Sequence, residues 1–336
     1  MNEFDLIKCY FTRPQARPDV ILSIGDDAAI VVPPAQQQLV LTIDTLVAGV
    51  HFPLNTSAFD IGYKTAAVNL SDLAAMGAKP LWATLALTIP ALDEAWLKEF
   101  ARGLFAVLDE FEVSLIGGDT TKGPLSITLQ AHGSVPIGKV ALRRDAAKVG
   151  DLIYVSGTLG DAGLALQLLQ DKSPLIPLFQ RGKLDCDFPP FEKGGQGGFI
   201  LQRLNQPSPR VALGLAVREL AHAALDISDG FAQDLQHILT ASHVGAKIDL
   251  TRLPLSEAVK IACDQTTARR LALTSGDDYE LCLTVPPHCQ HEFEAAALKL
   301  NCPVTLVGTI IAEQVLQLID ENQQIINWQL SGYQHF

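Results

Sequence analysis

The chain has no CxxC pair, no basic run longer than Arg143-Arg144 or Arg269-Arg270, and no apolar run near the length of a membrane span. Each absence excludes a class of function. The six cysteines, at 9, 186, 263, 282, 289 and 302, fall in or beside mostly apolar segments, which suits reduced thiols better than a disulfide framework or a zinc site. With 25 Lys+Arg against 37 Asp+Glu and a formal net charge of -12, nucleic acid is not the expected partner, because its affinity comes mainly from cationic side chains neutralising phosphates. A membrane-spanning helix needs roughly 18 apolar residues. The N-terminal stretch MNEFDLIKCYFTRPQARPDV has acidic residues and no apolar signal core. We therefore expect a cytoplasmic protein, off the membrane, whose partner is a small molecule.

The familiar nucleotide and hydrolase signatures are also missing. There is no GxxxxGK[ST], no GxGxxG after a strand, no kinase catalytic loop, no HExxH and no GxSxG. His288 and His291 in PHCQHEFE read as surface residues at a helix start.

What is present is a globular composition, 48% hydrophobic and 18% charged over 336 residues, enough for two domains. Strand-like segments recur at 20–24, 38–43, 81–89, 125–135, 152–157, 280–285 and 304–310, with helix-period stretches at 58–77, 93–111, 160–170, 211–222, 229–242 and 288–300. Several strands follow one another without a helix between them. The pattern predicts an α+β (mixed α/β) fold of two domains, each a mixed β-sheet packed with helices on one face. The polar stretch RRDAAKVGD divides the chain into 1–147 and 148–336, and the proline- and glycine-rich 171–198 reads as a mobile insertion.

Carboxylates interrupt apolar segments where composition does not explain them. Asp26 and Asp27 follow Gly25 in IGDDAAIVV, Asp44 ends LVLTID, Asp72 lies inside AAVNLSDLAAMGA, Asp119 follows two glycines in LIGGDTTKGPLSITL, and Asp226 and Asp229 flank Ser228 in LDISDG. A buried ionised carboxylate is costly unless it is paired or coordinates a metal. Hard ions such as Mg²⁺ are commonly held by scattered carboxylates together with substrate phosphates. A phosphate facing a bare carboxylate is repelled by about 4 kcal/mol at ~4 Å and an effective dielectric near 20, and interposed cations reverse that sign. Gly117 and Gly118, read as part of a turn, would let backbone N–H groups approach such an anion. Asp26-Asp27 also fits a plain turn, and Asp44 and Asp226 also fit helix caps or strand ends. Asp72 shares a helix face with Asn69 on an alanine-rich helix and fits those readings least.

Taken in order, IGDDAA (24–29), DTLVAGVHF (44–52), YKTAAVNLSDLAAMGAKP (63–80), LIGGDTTKGPLSITL (115–129), GDLIYVSGTLGD (150–161), PSPR (207–210), LDISDGFAQDL (225–235), SGDDYELC (275–282) and GYQHF (332–336) resemble the thiamine-monophosphate kinases of bacteria. That family belongs to the superfamily of aminoimidazole ribonucleotide synthetase and selenophosphate synthetase. The resemblance implies ATP-dependent phosphorylation of thiamine monophosphate to thiamine diphosphate, with several Mg²⁺ ions and ATP as co-substrate. It also implies a homodimer that pairs the sheets of the N-terminal metal- and ATP-binding domains, the C-terminal domain completing the ATP and substrate cleft.

By matching position, Asp27, Thr42, Ile43, Asp44, Asp72, Asp119, Asp226 and Asp229 would be metal ligands. Gly118, Asp119, Arg143 and Ser228 would contact ATP, and His51, Asp277 and Tyr333 would line the thiamine phosphate site. Asp119, Arg143 and Asp229 would carry catalysis. Asp277 stands where the family usually has Glu, and Ile43 where threonine is common, so a metal contact at Ile43 would be through its backbone carbonyl. Two rival readings are a sister ATP-dependent synthetase and a catalytically silent metal- and nucleotide-binding module. Selenophosphate synthesis would call for a reactive Cys in a glycine-rich loop, and Cys9 has no glycine neighbour.

Overall fold

β-branched residues concentrate at Val40, Thr42, Ile43, Thr45 and Val47, where extended backbone packs them best. The computed structural model describes residues 3–14, 17–171, 195–328 and 332, and places an 11-residue strand over Gln37–Val47. The chain divides into two compact units, Met1–Ala141 and Leu142–Phe336.

The first unit runs α1 (Glu3–Tyr10), β1 (Val20–Leu22), β2 (Ile30–Val31), β3 (Gln37–Val47), α2 (Ala58–Ala75), β4 (Lys79–Ile89), α3 (Glu94–Glu110), β5 (Ser114–Lys122) and β6 (Ser126–Pro136). Its four-stranded sheet has the order β3-β6-β4-β5, with only β4 and β5 parallel. Ser57 caps α2 by accepting from Asp60 N–H at 3.1 Å, and Asp93 caps α3 by accepting from Ala95 and Trp96 at 3.0 Å. The two helices touch backbone to backbone. A Cβ on Gly62 would sit 2.0 Å from the Phe100 carbonyl oxygen, and one on Gly103 would sit 1.9 Å from that of Phe59. Leu70, Leu73, Leu97 and Leu104 fill the core beneath them. Because strand residues alternate between faces, Thr42 and Asp44 share the helix-covered face of β3. Leu39, Leu41 and Ile43 lie exposed on the other.

The second unit runs β7 (Leu152–Ser156), α4 (Asp161–Asp171), α5 (Gln196–Asn205), α6 (Val211–Val217), β8 (Ala223–Asp226), α7 (Phe231–Ser242), β9 (Gly245–Asp249), α8 (Glu257–Ala262), α9 (Gln265–Thr274), β10 (Leu281–Val285), α10 (Gln290–Lys299), β11 (Val304–Ile311), β12 (Leu316–Ile319) and β13 (Ile325–Ile326). Its seven strands lie in the order β13-β12-β9-β11-β7-β10-β8, with β12 and β9 parallel and the other pairs antiparallel.

Here the expectation of helices on one face is corrected. Ile153 and Val155 join a core with Phe231 and Leu235 of α7, while Tyr154 between them packs at a tilt of 50° on Phe293 of α10, ring centroids 4.8 Å apart, so both faces of this sheet are covered. The expected insertion 171–198 is also shortened: Asp171 closes α4 and Gln196 opens α5, whose Ile200 and Leu204, four apart, are buried. Residues 172–194 lie outside the described ones.

Candidate functional site

In the first unit, the alanine-rich α2 lies over β3, and this brings three of the predicted ligands together. Thr42 Oγ1 donates to an Asp72 carboxylate oxygen. Asp44, on the same face of β3, has its carboxyl pushed up to about 7, first by burial and second by the Asp72 charge. Ile43 between them turns its side chain to the open face. Asp27 is exposed in a turn where its own N–H donates to Asp26 Oδ1 at 2.8 Å. Among the described residues, no three acid, histidine or cysteine side chains converge as a ready metal cage.

Asp119 and Gly118 require a correction. GGDTT is not a turn: it lies within β5, paired in parallel with β4 so that Gly118 faces Leu85 and Asp119 faces Ala86. A Cβ at Gly118, whose φ is +154°, would meet the Leu85 carbonyl oxygen at 1.9 Å. Close strand pairing therefore demands this glycine, whatever it binds. A Cβ at Gly117 would meet nothing nearer than 3.9 Å. Asp119 is exposed.

His51 follows β3 and accepts the Val47 N–H at Nδ1, 3.0 Å away, which leaves Nε2 to carry the proton of the neutral ring. Its carbonyl accepts from Lys64 Nζ at 3.3 Å, a lysine buried in α2.

In the second unit Asp226 ends β8, buried, and Ser228 and Asp229 occupy the loop before α7. Two segments far apart in sequence are stitched together here. Asp277 N–H donates to the Ser228 carbonyl at 2.8 Å, Tyr279 N–H to that of Ile227 at 2.7 Å, and Ile227 N–H to that of Glu280 at 2.8 Å. Asp277 and Tyr279 have φ of +67° and +48°, left-handed values that cost a side-chain-bearing residue energy and persist only where neighbours enforce them. The neighbours here are these backbone bonds and the buried hydrogen-bonded side chains on either side of Tyr279. Asp278 accepts the Gly160 N–H at 3.0 Å, and its carboxyl is held well above the usual range by burial, against the Gly160 bond and the Arg203 charge. Glu280 accepts from Ser156 at 2.6 Å, Arg203 at 2.7 Å and both donors of the Arg210 fork at 2.6 and 2.5 Å.

Arg143 is exposed, its backbone carbonyl accepting from Ala224 of β8 at 3.3 Å and its guanidinium forked onto Asp145, with Nε at 2.8 Å. That guanidinium draws the Asp145 carboxyl below its ordinary value. Tyr333 lies outside the described residues; the adjoining Gly332 rests against Asp229, where a Cβ would meet the carbonyl oxygen at 2.6 Å. A pocket of about 360 Å³ beside Glu280, lined by Thr158, Phe199, Arg203 and Arg210 among others, contains none of the predicted site residues.

Sequence reasoning assigned no role to Lys64, Arg203, Arg210, Asp234, Asp278 or Glu280. A signal was present for several of them, since Lys64, Asp278 and Glu280 interrupt or adjoin apolar runs just as Asp72 does.

Comparison with known proteins fits this architecture. The family models for the N-terminal and C-terminal domains of AIR synthase related proteins match residues 25–135 and 148–321. The thiamine-monophosphate kinase of Escherichia coli is 45% identical over 338 residues, covering 100% of this chain and 98% of that protein. The crystal structure of thiamine-monophosphate kinase from Stenotrophomonas maltophilia has a TM-score of 0.82 at 47% identity, covering 90% of this chain and 92% of that one. A structure of AaThiL complexed with AMPPCP and TMP has a TM-score of 0.75 at 28% identity, covering 94% of this chain and 92% of that one. By identity, coverage and fold, the chain belongs to the thiamine-monophosphate kinases, within the AIR synthase related proteins.

Proposed function

We propose that this chain transfers the γ-phosphoryl group of ATP to a phosphate oxygen of thiamine monophosphate, giving thiamine diphosphate and ADP. The observation that carries the proposal is the end-to-end likeness, 45% identical over the whole chain, to a protein named for that activity. As the new P–O bond forms, the bond from the γ-phosphorus to the oxygen it shares with the β-phosphate breaks in line, and the electron pair leaves with ADP. A phosphate monoester has its second pKa at about 6 and is already anionic at neutral pH. The protein therefore needs no general base. Its task is to align and neutralise two polyanions.

An oxygen-only donor set, with Asp44 and Asp72 close enough to raise the Asp44 carboxyl, suits a hard divalent cation that keeps waters and shares substrate phosphates. In this reading Asp27, Thr42, the Ile43 carbonyl, Asp44, Asp72, Asp119, Asp226 and Asp229 would hold Mg²⁺. When bound, such ions neutralise and polarise the phosphates. The Arg143 fork donates two parallel bonds to a phosphate, and its pair with Asp145 is solvent-exposed and easily released. Gly118 and the Ser228 hydroxyl contact the nucleotide. His51 donates from Nε2 to the substrate, and Asp277 and Tyr333 are the further substrate residues of this reading. Residues 1–147 carry the dimer function, most of the metal ligands and nucleotide contacts, and His51, and 148–336 supply Asp226 and Asp229 with the remaining nucleotide and substrate residues.

The homodimer is supported by the apolar stripe of Leu39, Leu41 and Ile43 on the open face of β3. A cytoplasmic location is part of the same reading; among the described residues no helix is long and apolar enough to cross a membrane. The test is direct. Purified protein with MgATP and thiamine monophosphate yields ADP and thiamine diphosphate in equal amounts; ADP alone, or neither product, refutes the assignment.

A further inference from the structure

Asp234 lies in the first turn of α7 and is 4% exposed. Its Oδ2 accepts three successive backbone N–H groups, from Ser228 at 2.9 Å, Asp229 at 2.9 Å and Gly230 at 3.1 Å. An ordinary cap stands before its helix and satisfies donors inside the first turn. Asp234 does the reverse: it reaches back from within the helix to the loop that precedes it. Three successive N–H groups converging on one point form an anion-binding nest, and here the protein fills the nest with its own carboxylate.

Two consequences follow for a ligand. The amides of this loop are already engaged, so a phosphate cannot be cradled by them. What the loop has left to offer is its half-buried side chains, the Ser228 hydroxyl and the Asp229 carboxylate, whose Oδ2 accepts from Gln233 Nε2 at 3.4 Å. Its far side is fixed as well, because the Ser228 carbonyl accepts the Asp277 N–H at 2.8 Å.

We propose that Asp234 is a positioning residue that holds Ser228 and Asp229 in the conformation that meets magnesium-bound nucleotide, and that keeps the loop amides from binding phosphate. The inference rests on the nucleotide and metal roles proposed above for those two residues. It concerns Asp234 alone.

The test compares full-length wild type with Asp234→Ala, Asp234→Asn and Gln236→Ala. Each is measured by steady-state kinetics with ATP varied, by magnesium-dependent binding of a fluorescent ATP analogue, and by thermal midpoint. Asp234→Ala empties the nest and should lower kcat/KM for ATP roughly 100-fold, the scale of a displacement of about 1 Å at a reacting group, and weaken analogue binding in parallel. Asp234→Asn keeps an acceptor oxygen without the charge and should recover part of that loss, falling about 10-fold, since charge-assisted bonds are roughly twice as strong as neutral ones. Gln236→Ala, exposed on the same helix, leaves both readouts unchanged.

A folded Asp234→Ala protein with wild-type kcat/KM for ATP and wild-type analogue affinity overturns the proposal. Should Asp234→Ala fail to fold, Asp234→Asn decides: unchanged kinetics overturn the proposal, and a loss at an unchanged thermal midpoint supports it. The binding arm separates this inference from the proposed activity. Wild type that binds the analogue with magnesium yet makes no thiamine diphosphate refutes the activity, while the affinity gap between wild type and variant still judges Asp234.

Discussion

Replacing Asp44 by Asn asks whether the acidic pair on β3 and α2 is kept for a cation. Burial, and then the Asp72 charge, raise the Asp44 carboxyl from 3.8 to about 7. A carboxyl with a raised pKa binds more protons folded than unfolded, so it costs stability as pH rises from about 4 to about 7, and the penalty is complete above that window. A pKa difference of about three corresponds to about 4 kcal/mol. Solvent reaches the half-buried side chain, so about half of that, ~2 kcal/mol, should be expressed. Asn keeps the shape and carries no charge. In chelator, urea unfolding should find Asp44→Asn more stable than wild type by ~2 kcal/mol near pH 8 and no different near pH 4. Magnesium should narrow the gap near pH 8 by stabilising the wild type alone, because a ligand of the folded state adds its binding free energy. The variant should make no thiamine diphosphate. An Asp44→Asn protein no more stable than wild type in chelator near pH 8, or equally favoured at both pH values, refutes the view of Asp44 as a carboxylate kept for a cation.

Asp119→Asn changes an exposed residue, so its unfolding free energy should stay within about 0.5 kcal/mol of wild type while turnover of thiamine monophosphate is lost; near-normal turnover would remove Asp119 from the site. Gly62→Ala places a methyl 2.0 Å from the Phe100 carbonyl oxygen and should cost about 3 kcal/mol by urea unfolding; a neutral substitution would mean that α2 and α3 are further apart than they stand here. Glu280→Gln leaves the Arg203 and Arg210 guanidinium groups without their shared counter-charge and should destabilise by about 3–5 kcal/mol. A loss under about 1 kcal/mol by the same measurement would show the buried pair to be dispensable.

The elements legible in the sequence were those with a strong period or a β-branched run. The strand over 81–89 and the helices over 58–77 and 93–111 appear within a few residues of their expected ends. Shorter strands gave no such signal: AALD and GAKID are strands because they are flanked by β10 and by β11 and β12, and only tertiary pairing decides that. GGDTT misled for the opposite reason. Its glycines are the commonest mark of a turn, yet Gly118 is there because a strand passes too close for any Cβ.

The site shows where composition stops short. Isolated acids beside apolar runs must have their charge compensated, and that rule singled out Asp44 and Asp72. It applies equally to Asp234, which lies three residues after Phe231 and four before Ile238 and therefore shares the apolar stripe of α7, all three buried. The compensation differs, however. Asp234 meets three amides of its own chain, whereas Asp44 meets another carboxylate. Both solutions are open to an aspartate in an apolar segment, and side-chain identity does not distinguish them. The path of the backbone does: the chain curls its N–H groups around Asp234, offsetting part of the burial and Asp229 charge that still raise its carboxyl to about 6, and gives Asp44, raised to about 7, a second acid instead. An outstanding cost of that kind is what a bound cation can relieve, which is why the stability of Asp44→Asn in chelator is informative.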